Sequence, residues 1–67
     1  MLWIVMNDSS HQIVEYNIDV KDDIYSLWIT RPSGKTLKVR EGNEEEIKDI
    51  KKALDMCVER GERNLIL

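Results

Sequence analysis

From Ile13 to Val39 apolar side chains return at every second residue through two sharp turn signals, and this constrains the 67-residue chain more than any other feature. Val14, Tyr16, Ile18 and Val20 alternate with Glu15, Asn17 and Asp19; beyond Lys21-Asp22-Asp23, Tyr25, Leu27 and Ile29 alternate with Ser26, Trp28 and Thr30. Successive side chains of a strand point to opposite faces, so each run is a strand with one buried face. A two-residue loop at Asp22-Asp23 sets Val20 opposite Tyr25, Ile18 opposite Leu27 and Tyr16 opposite Ile29, with both apolar sets on one side. Arg31-Pro32-Ser33-Gly34-Lys35 closes a second hairpin, because proline pre-sets φ at the first corner and glycine accepts the left-handed position. Pairing outward from that loop sets Ile29 against Leu37 and Leu27 against Val39. On the other face Trp28 meets Lys38 and Ser26 meets Arg40.

Leu2-Trp3-Ile4-Val5-Met6 is apolar throughout, which predicts a strand covered on both faces or lying against a partner. Asn7-Asp8-Ser9-Ser10 has the short polar side chains of a turn. Asn43 starts a helix, with Glu46 as the other half of a capping box and Glu44 and Glu45 at the positive end of the helix dipole. Ile47, Ile50, Leu54, Cys57 and Val58, flanked by Ala53, form its apolar stripe, and Gly61 stops it. Leu65-Ile66-Leu67 is too apolar for a free end and is expected to pair with, or pack on, a neighbouring element. The predicted fold is α+β: an antiparallel meander of three to four strands, then one amphipathic helix on one sheet face, with a short C-terminal strand as an option.

The chain reads as one domain, 1–67, with no repeat or linker. A core this small leaves a net stability of roughly 3–5 kcal/mol, so self-association would help it. Cys57 has no second thiol for a disulfide or metal motif, which fits a reducing cytoplasm. The apolar run at the start is too short for a signal core or membrane span. A net charge of −3 speaks against a dedicated nucleic-acid binder.

Chemistry-bearing residues are present, but not in catalytic patterns. Asp8, Ser9, Ser10 and His11 include the residue types of a hydrolase triad, yet four consecutive loop residues cannot adopt its geometry. His11 is the only histidine. Asp19, Asp22 and Asp23 lack the glycine and distal glutamate of a calcium loop. The three glycines fall in no phosphate-binding pattern. No enzymatic activity, metal or cofactor is expected.

One helix covers one sheet face. The open face is predicted to carry Trp28 with Ile13, Ile24, Lys38 and Arg40, plus Trp3 or Val5 from the first strand. Trp and Arg are enriched at binding hot spots, so the expected function is that of a small non-enzymatic protein-interaction module, an adaptor, regulator or inhibitor, that also self-associates through an apolar sheet face or edge. A second expectation is single-stranded nucleic-acid binding, with Trp28 stacking on bases and Arg31, Lys35, Lys38 and Arg40 meeting phosphates. A third is small-ligand binding.

Overall fold

Six strands and one helix are found in the computed structural model, which describes residues 2–67: β1 (Leu2–Met6), β2 (Ser9–Ile13), β3 (Glu15–Lys21), β4 (Ile24–Thr30), β5 (Thr36–Gly42), α1 (Glu44–Arg60) and β6 (Asn64–Ile66). The fold is α+β. The strands form two three-stranded sheets, the meander β3-β4-β5 and a second sheet of order β2-β1-β6 in which β6 runs parallel to β1.

The first hairpin has the predicted register, with Val20 opposite Tyr25, Ile18 opposite Leu27 and Tyr16 opposite Ile29. Its two loop residues, Asp22 and Asp23, both take left-handed conformations at φ 51° and 64°. That backbone twist matches the twist of the flanking strands, and Asp tolerates it better than most non-glycine residues. The second hairpin turns at Gly34, φ 87°, closed by Gly34 N–H to Arg31 O at 2.8 Å and Arg31 N–H to Lys35 O at 2.9 Å.

Two one-residue irregularities correct the sequence expectation. The run Ile13–Val20 is two strands rather than one. Val14 pairs in neither sheet, and its N–H reaches Thr30 O at 2.9 Å while Glu15 also sits opposite Thr30. An extra residue inverts the facing of everything before it. Ile13 therefore points inward, pairing with Leu2 and only 7% exposed, instead of joining Trp28 on the open face. The turn before it shrinks to Asn7-Asp8, and Ser9 and Ser10 belong to β2. The second irregularity is in β5, where the register shifts between Leu27 and Trp28. Lys38 stays opposite Trp28, but Leu27 faces Arg40 and Ser26 faces Glu41, leaving Val39 as the bulged residue.

The core gathers Leu2, Ile4 and Ile13 from the β2-β1-β6 sheet, Leu27 and Ile29 from β4, and Ile47, Leu54 and Cys57 from α1. The helix packs against β4, β5 and β6. Val58, expected in the stripe, lies outside it at 57% exposure, and Val14 and Val20 are also exposed. The C-terminal residues do pair: Trp3 N–H donates to Arg63 O at 2.7 Å, Leu67 N–H to Val5 O at 2.9 Å, and Leu65 and Leu67 pack on the core.

Both helix ends are closed, the first by only half of the expected capping box. Asn43 Oδ1 accepts Glu46 N–H at 2.8 Å, while the Glu46 carboxylate turns across Gly42 toward Arg40 rather than completing the capping box. At the far end Gly61, φ 68°, directs its N–H to Val58 O and the next N–H reaches Cys57 O, a Schellman closure. Asn43→Ala removes the acceptor for the Glu46 amide and is expected to lower stability by about 0.5–2 kcal/mol. A urea midpoint unchanged from wild type would show that the cap contributes nothing.

Candidate interaction surface

The side of β3-β4-β5 away from α1 is built from alternate residues of three strands. Across it run the rows Asn17, Trp28 and Lys38; Asp19, Ser26 and Glu41; and Lys21 with Ile24. Trp28 is half-buried at the centre, with the Lys38 ammonium 5.9 Å from its ring centroid. Lys38 Nζ in turn lies 2.6 Å from Glu41 Oε2. A cation over the indole face is attracted by the ring quadrupole and shields the ring from water. Two open concavities border Trp28. One, of about 280 Å³, is lined by Asp19, Asp22, Ile24, Ser26 and Glu41 among others, and the other, of about 320 Å³, by Asn17, Asp19 and Thr36.

Of the residues expected here, Trp28, Lys38 and Ile24 do share the surface, Ile24 being 47% exposed. Arg40 does not, because the bulge at Val39 turns it toward the helix, where its guanidinium lies 3.7 Å from Glu46 Oε1. Ile13 is in the core. Trp3 belongs to the outer face of the other sheet, 37% exposed, where the register sets Val5 beside Ile66. That second apolar patch was foreshadowed only by the unbroken apolar run Leu2–Met6 and the apolar end of the chain. Glu41, in contrast, joins the Trp28 surface although strict alternation in β5 placed it on the other side.

On the covered face two tyrosines clasp the helix. Tyr25 donates to Glu44 at 2.8 Å, and Lys48 donates to the other oxygen of the same carboxylate at 2.8 Å. Tyr16 donates to Asp55, which also accepts from Lys51 at 3.0 Å. The Asp55 hydrogen bond, with some desolvation, pushes the Tyr16 hydroxyl up to about 12, and Glu44 pushes Tyr25 up as well. Reciprocally, Lys48 and then Tyr25 hold Glu44 below its usual range, Tyr16 and then Lys51 do so for Asp55, and Glu44 raises Lys48. Each hydroxyl stays protonated because its proton bridges to a carboxylate. Cys57 is buried at 5% exposure, and burial followed by the Glu62 carboxylate 3.2 Å away raises its thiol. Such a thiol is packed as a core side chain.

His11 Nε2 lies 3.2 Å from Ser9 Oγ, two residues back along the same strand. Among the described residues, no three His, Cys, Asp or Glu side chains gather as a metal site, and no helix is long and apolar enough to cross a membrane. The chain matches no protein-family model, no curated protein and no solved structure.

Proposed function

We propose that this domain is a non-enzymatic protein-interaction module of the cytoplasm, an adaptor, regulator or inhibitor, that binds a protein partner through the open face of β3-β4-β5 and self-associates. The observation that carries this is Trp28 standing between two open concavities, one of them reaching exposed Ile24, on the meander face that the helix leaves uncovered. An indole supplies large contact area at little entropic cost, and an anchor of this kind supplies a disproportionate share of binding energy. Lys38 is held by Glu41 but remains partly exposed, so it can swing aside or close over an arriving side chain.

The charge around Trp28 favours protein over nucleic acid as the ligand. Asp19, Asp22 and Glu41 line the concavity beside the indole and outnumber its cations Lys21 and Lys38, Lys38 is already paired, and Arg40 is committed to the helix. A phosphate backbone would meet three carboxylates against two lysines where it requires an excess of cations.

The test sets the chain beside its Trp28→Ala variant, both immobilised and exposed to cell extract at about 0.15 M and about 0.5 M salt. A discrete protein, identified and then purified, is expected to bind wild type at both salts and the variant roughly tenfold or more weakly. The variant should keep its circular dichroism and melting midpoint. Equal binding by both chains would remove Trp28 from the interface, and capture of a single-stranded oligonucleotide with steep salt dependence would replace the protein reading.

A further inference from the structure

We propose that two copies of this chain pair along the outer edges of their β3 strands, antiparallel and about a two-fold axis through Ile18, joining their meanders into one six-stranded sheet. This takes up the self-association in the reading above and gives it a surface, but it does not depend on what the Trp28 face binds.

β1 and β4 are central in their sheets. Of the four edge strands, β6 has three residues, and β2 has five and carries Ser9 and Ser10. β5 is interrupted by its bulge, a device that discourages strand addition. β3 is seven residues long, pairs in unbroken register with β4, contains no proline, and has Val20 51% exposed. The helix packs chiefly on β4, β5 and β6 and touches β3 through Tyr16, whose hydroxyl donates to Asp55 on the covered face.

The two-residue loop makes Lys21 and Ile24 the closing hydrogen-bonded pair, and hydrogen-bonded pairs then recur at every second residue. Glu15, Asn17, Asp19 and Lys21 bond to β4, so the N–H and C=O groups of Tyr16, Ile18 and Val20 point outward. An antiparallel partner satisfies them only in registers that set these three residues against one another.

Side chains then select among those registers. About Ile18, Glu15 faces Lys21 of the second copy and Lys21 faces its Glu15, Tyr16 faces Val20 on the helix side, and Asn17 faces Asp19. Moving the axis to Asn17 sets Glu15 against Asp19; moving it to Asp19 sets two Asp19 carboxylates together. Opposed like charges disfavour both. The segment Glu15-Tyr16-Asn17-Ile18-Asp19-Val20-Lys21 is thus self-complementary over its whole length in one register. An axis normal to the sheet leaves both helices on one side and extends the two Trp28 faces into one continuous surface on the other.

Sedimentation equilibrium across a concentration series is the test, with Glu15→Lys, Lys21→Glu and the double exchange as variants. All these side chains are exposed and lie opposite neutral Thr30 and Ile24 within the monomer, so the monomer fold should survive. Wild type is expected to dimerise in the micromolar to millimolar range typical of small interfaces. Each single reversal should weaken the dimer about tenfold, since the two-fold repeats the clash, and the double exchange should restore it. Amide exchange at Tyr16, Ile18 and Val20 should slow as concentration rises. A chain monomeric to about 1 mM, single reversals without effect, or a double exchange that fails to rescue would each overturn the proposal. Trp28→Ala separates the two interfaces: a dimer that survives it keeps the β3 edge even if the Trp28 face binds nothing, whereas a dimer lost only in Trp28→Ala would place the interface on the face instead.

Discussion

Replacing Ile4 with alanine is expected to leave much of the protein unfolded at 25 °C. Ile4 is fully buried in the middle of β1, the central strand of its sheet, between the β2 and β6 partners His11 and Leu65. Truncating a fully buried isoleucine costs about 2–5 kcal/mol, from lost transfer energy and the cavity left behind. A domain of this size holds roughly 3–5 kcal/mol in total, so one substitution consumes most of the margin. The measurement is a urea titration followed by circular dichroism, with Ile66→Ala as control. Ile66 is 76% exposed on a neighbouring strand, and its truncation should shift stability by no more than about 0.5 kcal/mol. Equal midpoints for the two variants would mean that β1 is not a core strand.

Deleting Leu65–Leu67 is expected to cost about 2–4 kcal/mol and, in addition, to make the protein aggregate. The deletion removes two half-buried leucines and the Leu67-to-Val5 backbone bond. The second consequence follows from topology. β1 is shielded on that side only by β6, and without it an apolar strand presents unpaired amides and carbonyls to other chains. Light scattering should report large species at concentrations where wild type shows none, together with a lowered urea midpoint. If the truncated chain keeps both its midpoint and its mass, β6 is not a structural strand.

The legible part of the candidate surface was the part governed by local chemistry. Trp28 and Lys38 were placed correctly because the Pro32–Gly34 turn sets their register over only a few residues. Ile13 and Arg40 were misplaced for a common reason. Each lies beyond a one-residue irregularity, Val14 and Val39, and facing in a strand has a period of two, so a single extra residue exchanges inside and outside. Nothing near Val39 announces a bulge in the sequence, since no glycine or proline marks it. Gly42, three residues later, accommodates the Glu46 carboxylate instead. Glu41 and Arg40 exchanged roles accordingly, converting an expected basic margin beside Trp28 into a neutralised one.

By itself the sequence determined every element whose cause is local: the meander from apolar alternation and the chemistry of Asp22-Asp23 and Pro32–Gly34, and the helix from Asn43, its apolar stripe and Gly61. Tertiary structure alone decided the division into two sheets, the bend at Val14, the bulge at Val39 and the parallel pairing of β1 with β6. Those features arise from contacts between residues far apart in the chain. Ile13 must join Leu2 and Ile4 while Tyr16 and Ile18 pack beneath α1, and a regular strand cannot present neighbours of that parity to one core. Closing the core required the extra residue, and with it the choice of which side chains the open face displays.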